Sequence, residues 1–246
     1  MKVSIITAVY NNVETISGCI ESVINQDYSN IEYIIIDGKS DDGTIDKINT
    51  YSDHIDYLIS DNDNGIYDAM NKGLAIATGE IVGFINSDDM LNSSNCISAI
   101  VAEFERTKAD IVYGDKVYYS KDLKRMKRYW KAGPLKLESY RYGWMTPHLS
   151  TYIKKGVYDE YGFFNTSLKV AADYELMFRF IYCQRVKAVY LPKIIAKMRE
   201  GGVSNGSLSK MWRTNYEVYK SWAMNDRFIT PLIIILKPLS KITQLF

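Results

Sequence analysis

Asp88 and Asp89 stand side by side at the end of residues 81–89, IVGFINSDD, where an apolar run breaks into polar residues. Two carboxylates this close repel unless a cation or a raised pKa relieves them. A hard divalent ion, Mg²⁺ or Mn²⁺, does so while leaving positions for phosphate oxygens. The pair points to a metal-diphosphate site. A second reading is open: Asp89 caps the following helix, whose stripe is Ile97, Ile100, Val101 and Phe104 after Asn92, Ser93 and Ser94. Capping accounts for one carboxylate and not the other. Three more groups could do chemistry, each with a bland counterpart. Asp37 closes another apolar run. Asp68 and Lys72 are either ligand contacts or an exposed helical ion pair. Asp173, just ahead of Leu176, Met177, Phe180 and Ile181, is either a base or a carboxylate favoured by a helix dipole.

These residues need elements that bring them to one place. Residues 3–9 and 31–36 are β-branched runs, and 57–60 and 81–85 are shorter ones. Between them, Val13, Ile16, Ile20, Val23 and Ile24, then Ile66, Met70, Leu74 and Ala77, recur at helical spacing. Thr44 is expected to cap a helix and Gly79 to close one. Four strand-helix repeats predict an α/β fold with a mostly parallel sheet flanked by helices. Ligands of such sheets sit beyond the strands' carboxyl ends, where Asp37 and Asp88 emerge. No G-x-G-x-x-G or P-loop follows the first strand, so phosphate must be held in another way, and metal is the remaining candidate.

The composition removes several classes. At 246 residues with 47% hydrophobic side chains, one large domain with an appendage is expected. A net charge of +1 provides no field for nucleic acid. Cys19, Cys96 and Cys183 have no paired spacing, so neither a disulfide framework nor a zinc site is expected. The N-terminal apolar stretch reads as a first strand rather than a leader, and no run approaches the roughly 20 residues of a membrane span. A cytoplasmic protein is expected.

Five segments occur in one order: SIITAVYNN (4–12), IIIDGKSDDGT (34–44), SDNDNGIYDAMNKG (60–73), ATGEIVGFINSDD (77–89) and AADYELMFR (171–179). Together they resemble the inverting glycosyltransferases of family 2. The likeness covers residues 3 to about 205 and is nearest to the branch that builds bacterial O-antigen, capsule and exopolysaccharide. It implies a GT-A fold over residues 1–205, with residues 206–246 as a C-terminal helical extension. It also implies a nucleotide-sugar donor, Mn²⁺ or Mg²⁺, and a saccharide or polyprenyl-diphosphate-saccharide acceptor. On the donor side it implies Thr7, Val9, Asn11 and Asp37 around the base, uridine by analogy, and Asp68 and Lys72 near ribose and diphosphate. Asn86-Ser87-Asp88 occupies the D-x-D position. Asp88 is the implied metal ligand, and Asn86, a departure from the pattern, makes Asp89 a second one. Asp173 matches the catalytic base, with Ala172 where an acidic neighbour is usual. Trp144 and His148 match an acceptor-side loop, and Gly201 and Gly202 a lid over the donor. The QxxRW signature of processive synthases is missing, so addition of one sugar is expected.

Other segments carry alternatives. Residues 112–130 hold two strands and a basic run of Lys121, Lys124, Arg125, Lys127, Arg128 and Lys131, either a solvated hairpin or a contact for anionic lipid or a lipid pyrophosphate. Residues 149–153, 188–191 and 194–198 read as further strands. Met211, Trp212, Tyr216, Tyr219 and Trp222 form a helical stripe. The tail FITPLIIILKPLSKITQLF suits either peripheral contact with the inner membrane or packing on a second subunit of a homodimer. A metal-dependent sugar nucleotidyltransferase and a non-catalytic carbohydrate-binding scaffold are the rival functions. Asn86 and Ala172 favour the scaffold.

Overall fold

The computed structural model describes residues 1–200 and 208–229. Strand β1 (Val3–Val9) is buried along its whole length, as a central parallel strand covered on both faces must be. It pairs in parallel with β2 (Ile31–Asp37) and β4 (Ile81–Phe84), and β3 (Tyr57–Ser60) extends the sheet beyond β2. Helices α1 (Ile16–Ile24), α2 (Thr44–Asn49) and α3 (Ile66–Ile76) make the connections. After β5 (Met90–Leu91) and α4 (Cys96–Thr107) the sheet becomes mixed. β8 (Thr151–Lys154) lies antiparallel between β4 and β6 (Ile111–Tyr119), and β7 (Met126–Trp130) folds back on β6. β9 (Ala188–Arg199) runs parallel to β6 and antiparallel to β5. Helices α5 (Lys155–Tyr161), α6 (Ala172–Met177) and α7 (Leu208–Met224) complete an α/β fold of a sheet between helical layers.

Alternation along β1 splits the core in two. Ile6 and Ala8 pack with Met70 and Leu74 of α3, in a layer that continues to Phe178 and Trp222. Val3, Ile5 and Val9 face Ile16 and Ile20 of α1, in a layer shared with Ile97 and Ile100 of α4.

Several local expectations are corrected. Thr44 is the first residue of α2 rather than its cap, and its hydroxyl donates to Asp42 Oδ1. Gly79 lies past the end of α3, where a Cβ would stand 2.5 Å from Ser4 Oγ and 2.6 Å from Ser4 N, so close approach to β1 requires the glycine. Ile66 is 43% exposed and leaves the predicted stripe. Residues 148–150 form a 3-10 turn, so β8 begins at Thr151. The two late strands are one, β9, whose pairing with β6 shifts register beside Asp115. On α7, Trp212 and Tyr216 are exposed, whereas Asn215, Glu217, Val218, Ser221 and Trp222 are buried. Hydrophobicity misreads that helix because its inward face carries polar side chains that bind other elements.

Candidate active site

Because β1, β2 and β4 are parallel, the segments after them leave one edge of the sheet. The turn after β1 is fastened to both neighbours. Asn12 donates from Nδ2 to Ser87 Oγ (2.7 Å) and from its backbone N–H to Thr44 Oγ1 (2.8 Å). Asn11, left-handed at φ 46°, donates its N–H to Ser40 Oγ and accepts the Asp41 N–H. At the start of α3, Asp68 accepts the Asn64 N–H (3.0 Å) and lies 4.0 Å from Lys72, which donates to Asn62 O. Asn11, Ser87, Asp68 and Lys72 therefore gather at this edge.

Two donor-side expectations, Thr7 and Val9, are corrected. Thr7 has the parity that faces α1; it is fully buried, with Tyr33 OH at 3.2 Å and Cys19 Sγ at 3.8 Å. Val9 shares that parity and joins the core there. Asp37 reaches the edge, but its carboxylate is buried and accepts from Ser40 Oγ (2.5 Å), Ser40 N (3.0 Å) and Ser60 Oγ (2.6 Å). Oδ1, with one donor, keeps a lone pair for a further N–H. Tyr10, 65% exposed, and Asp63 stand instead over Gly38, where a Cβ would meet Asp63 Oδ2 at 2.6 Å.

Asp88 and Asp89 follow β4 in the turn to β5. Helix α4 has Asn95 at its N-cap position, so the capping alternative for Asp89 falls away. Asp88 is half-buried, and burial raises its pKa while Arg199 pulls it back. Asp89 is 1% exposed, and burial first, then the charge on Asp88, pushes its pKa up. Arg199, the last residue of β9, clamps the pair: its N–H donates to Asp89 Oδ1 (3.1 Å), its Nε to Asp88 O (3.1 Å) and its Nη1 to Lys121 O (2.8 Å). Nothing near it in the sequence signals this role.

No three His, Cys, Asp or Glu side chains form a metal cage among the described residues. The available donors are the Asp88 carboxylate and Asn86 Oδ1, which is buried and unpartnered. Two hard oxygens that leave most coordination positions to phosphate and water fit Mg²⁺ or Mn²⁺. Asp89, expected as a second ligand, is withdrawn from the surface, and its oxygens accept from Arg199 N and Asn86 Nδ2. It braces Asn86 rather than facing a cation.

Asp173 is the second residue of α6. Its Oδ1 accepts from Tyr174 N (2.8 Å) and from Tyr67 OH of α3 (3.3 Å). Beside it, His148 lies between the rings of Phe84 (5.4 Å) and Phe164 (5.6 Å), with both nitrogens buried and unpartnered. Burial above all pushes the imidazole pKa down to about 4, with Asp173 raising it and Lys116 lowering it, so the ring is neutral at pH 7. Glu217 of α7 gathers the segment before Asp173: its Oε2 accepts the N–H groups of Lys169 (3.0 Å), Val170 (2.9 Å) and Ala171 (3.0 Å). Position 172 is alanine, and the carboxylate that organises this turn comes from 45 residues downstream. Trp144 packs edge-on to Tyr113 and Tyr140 at the margin of the core. Gly201 and Gly202 lie outside the described residues.

The model of the family described as Glycosyl transferase family 2 matches residues 4–173. A PGL/p-HBAD biosynthesis glycosyltransferase of Mycobacterium tuberculosis is 28% identical over 238 residues, which is 95% of this chain and 88% of that one. Glycosyltransferase GlyG of Streptococcus pneumoniae is 29% identical over 123 residues, covering 49% of this chain and 40% of its own. Among solved structures, S. aureus TarS 1–349 in complex with UDP-GlcNAc superposes with a TM-score of 0.71 at 18% identity, over 99% of this chain and 73% of that one. The chain spans 44% of the longer TarS chain. The mannosyltransferase PcManGT of Pyrobaculum calidifontis, in complex with GDP-Man and Mn²⁺, superposes with a TM-score of 0.69 at 18% identity, over 98% and 69%. At such identities the likeness to these structures is one of fold.

Proposed function

The chain belongs to glycosyl transferase family 2, and on that premise we propose that it transfers one sugar, with inversion, from a UDP-sugar to a hydroxyl of a saccharide acceptor. The observation that carries this is the half-buried carboxylate of Asp88, two residues on from the orphaned Asn86 Oδ1, at the edge of the parallel strands. Those two oxygens would hold a divalent cation, which supplies Lewis-acid stabilisation to a leaving diphosphate. Tyr10 offers an open ring to the base, and Lys72 a charge at the same edge. Asp173 takes the proton of the acceptor hydroxyl as that oxygen attacks the anomeric carbon. The bond from that carbon to the diphosphate oxygen breaks, and the nucleoside diphosphate leaves with the electron pair. Tyr67 holds Asp173 by one oxygen and leaves the other for the acceptor.

The complexes of TarS with UDP-GlcNAc and of PcManGT with GDP-Man and Mn²⁺ support a nucleotide-sugar donor with a metal. The mycobacterial relatives, named for PGL/p-HBAD biosynthesis, support a biosynthetic role in envelope glycans, and with it a lipid-linked acceptor at the cytoplasmic face of a membrane. No helix among the described residues is long and apolar enough to cross a membrane. The division at about residue 205 and the membrane or subunit role of the tail, which lies outside the described residues beyond Ile229, belong to the same reading.

The test is calorimetric binding of UDP and GDP, with and without Mn²⁺, to the wild type and Asp88→Ala. Metal-dependent UDP binding lost in the variant is expected. Binding of neither nucleotide overturns the donor assignment.

A further inference from the structure

The basic run of the β6–β7 hairpin divides once folded. Lys121, Lys124, Arg125, Lys127 and Lys131 are exposed, as a solvated hairpin requires. Arg128 turns inward. It pairs across the strands with Tyr118, while Lys116, two residues before Tyr118, pairs with Trp130, two residues after Arg128. The four side chains thus occupy one face of the hairpin in alternating order. Lys116 Nζ lies 4.5 Å from the Trp130 ring centre and 5.2 Å from that of Tyr118, and Arg128 Cζ lies 4.9 Å from Tyr118 and 5.6 Å from Trp130.

This face has donors without acceptors. Lys116 is 6% exposed and has no ion pair or hydrogen bond among the described residues. Arg128 Nε and Trp130 Nε1 are buried and unpartnered. The neighbouring carboxylate, Asp115, points to the other face, where Tyr129, Tyr190 and the Ala132 N–H occupy it. The charge of Lys116 is felt at both Asp89 and His148, whose pKa values it lowers. Burying donors unpaired is costly, and an oxyanion is the ligand that relieves two cations and an indole N–H together.

We propose that Lys116, Arg128 and Trp130 form an anion-binding subsite that takes an oxyanion of the acceptor saccharide. Calling the ligand an acceptor rests on the transferase reading above; the anion site itself does not. The oxyanion is a phosphate at the saccharide's linkage or a carboxylate on its sugar. A purely structural role for the cluster, as cross-strand pairs that pin the hairpin, predicts lower stability in variants with no change in anion binding.

The experiment titrates the full chain, in EDTA so that no metal-held phosphate contributes, with glucose 1-phosphate, glucuronate and neutral glucose, following tryptophan fluorescence. Saturable binding of one anion and not of glucose is expected, and which anion saturates identifies the source of the charge. Lys116→Met and Arg128→Gln should weaken it by roughly ten- to a hundredfold, the size of a lost charge-assisted hydrogen bond. Lys124→Ala and Lys127→Ala should bind as the wild type does. Thermal unfolding checks the fold, and if Lys116→Met does not fold, Arg128→Gln against the charge-keeping Arg128→Lys decides. Absence of saturation by either anion, or equal affinity in Arg128→Gln and wild type, overturns the subsite. Loss of this binding with metal-dependent UDP binding intact removes only this inference. The reverse result leaves an anion site on a protein that is not a UDP-sugar transferase.

Discussion

The two sides of the candidate site are built differently. On the side of β1, β2 and β4, each polar group follows the strand that delivers it by a few residues, and neighbouring turns tie to one another through Asn12, Ser87 and Ser40. On the side of β6 and α6, each group depends on a partner far along the chain. Asp173 meets Tyr67 across 106 residues, and the turn before α6 meets Glu217 across 46 to 48. A side built locally tolerates the loss of a remote contact, whereas a side built from afar does not.

Substitutions can break or sharpen this contrast. The largest effect is expected at Asp173→Asn, which should lower turnover by about 10²–10⁴ while leaving nucleotide affinity unchanged; weaker UDP binding in that variant would mean the two sides are not separable. Glu217→Ala strands three N–H groups, and a loss of about 2–4 kcal/mol in thermal or urea unfolding should accompany a fall in turnover larger than any change in donor affinity. Trp222→Phe removes the bond from Nε1 to Tyr174 OH (3.1 Å) and part of a buried ring packed on Phe178 and Tyr182, and should cost about 1–3 kcal/mol in the same unfolding measurement.

Acid should separate the sides as well. His148 ordinarily titrates near 6.5 but is held at about 4, so it contributes stability that is present above 6.5 and lost as pH falls towards 4. Glu32 lies at the opposite end of the donor-side strands. Burial pushes its pKa up, but hydrogen bonds from Lys2, Ser4 and Thr78 outweigh that and bring it from 4.5 to about 2, so its contribution is lost only below 4.5. Hydrogen exchange at stepped pH should show the β6–α6 side loosening first. His148→Phe should abolish the earlier step and Glu32→Gln the later one, the smallest of these effects. Simultaneous loosening of both sides would deny the contrast.

Legibility in the sequence follows the same division. The apolar runs of β1, β2 and β4 and the α4 stripe are legible because burial enforces them, whereas β3, exposed along its length, is legible from its residue types alone. Asn11, Asp68 and Asp88 could be placed because strand ends are local features. Thr7 and Val9, implied by the resemblance to line the base pocket, face α1 instead, and on a strand buried on both faces polarity gives no parity signal. Lys116, Arg199 and Glu217 were missed since their meaning lies in residues distant in sequence. Glu217 in particular sits in a helix that exposes Trp212 and Tyr216 and buries Glu217 beside Val218 and Trp222.

The grip of Glu217 on residues 169–171 also sets an order of events in synthesis. A growing chain can complete β1 to β4 and their turns long before residue 217 exists. The turn that presents Asp173 acquires its anchor only then. A ribosome stalled in between would carry the parallel strands and their turns without the ordered carboxylate that α7 brings into place.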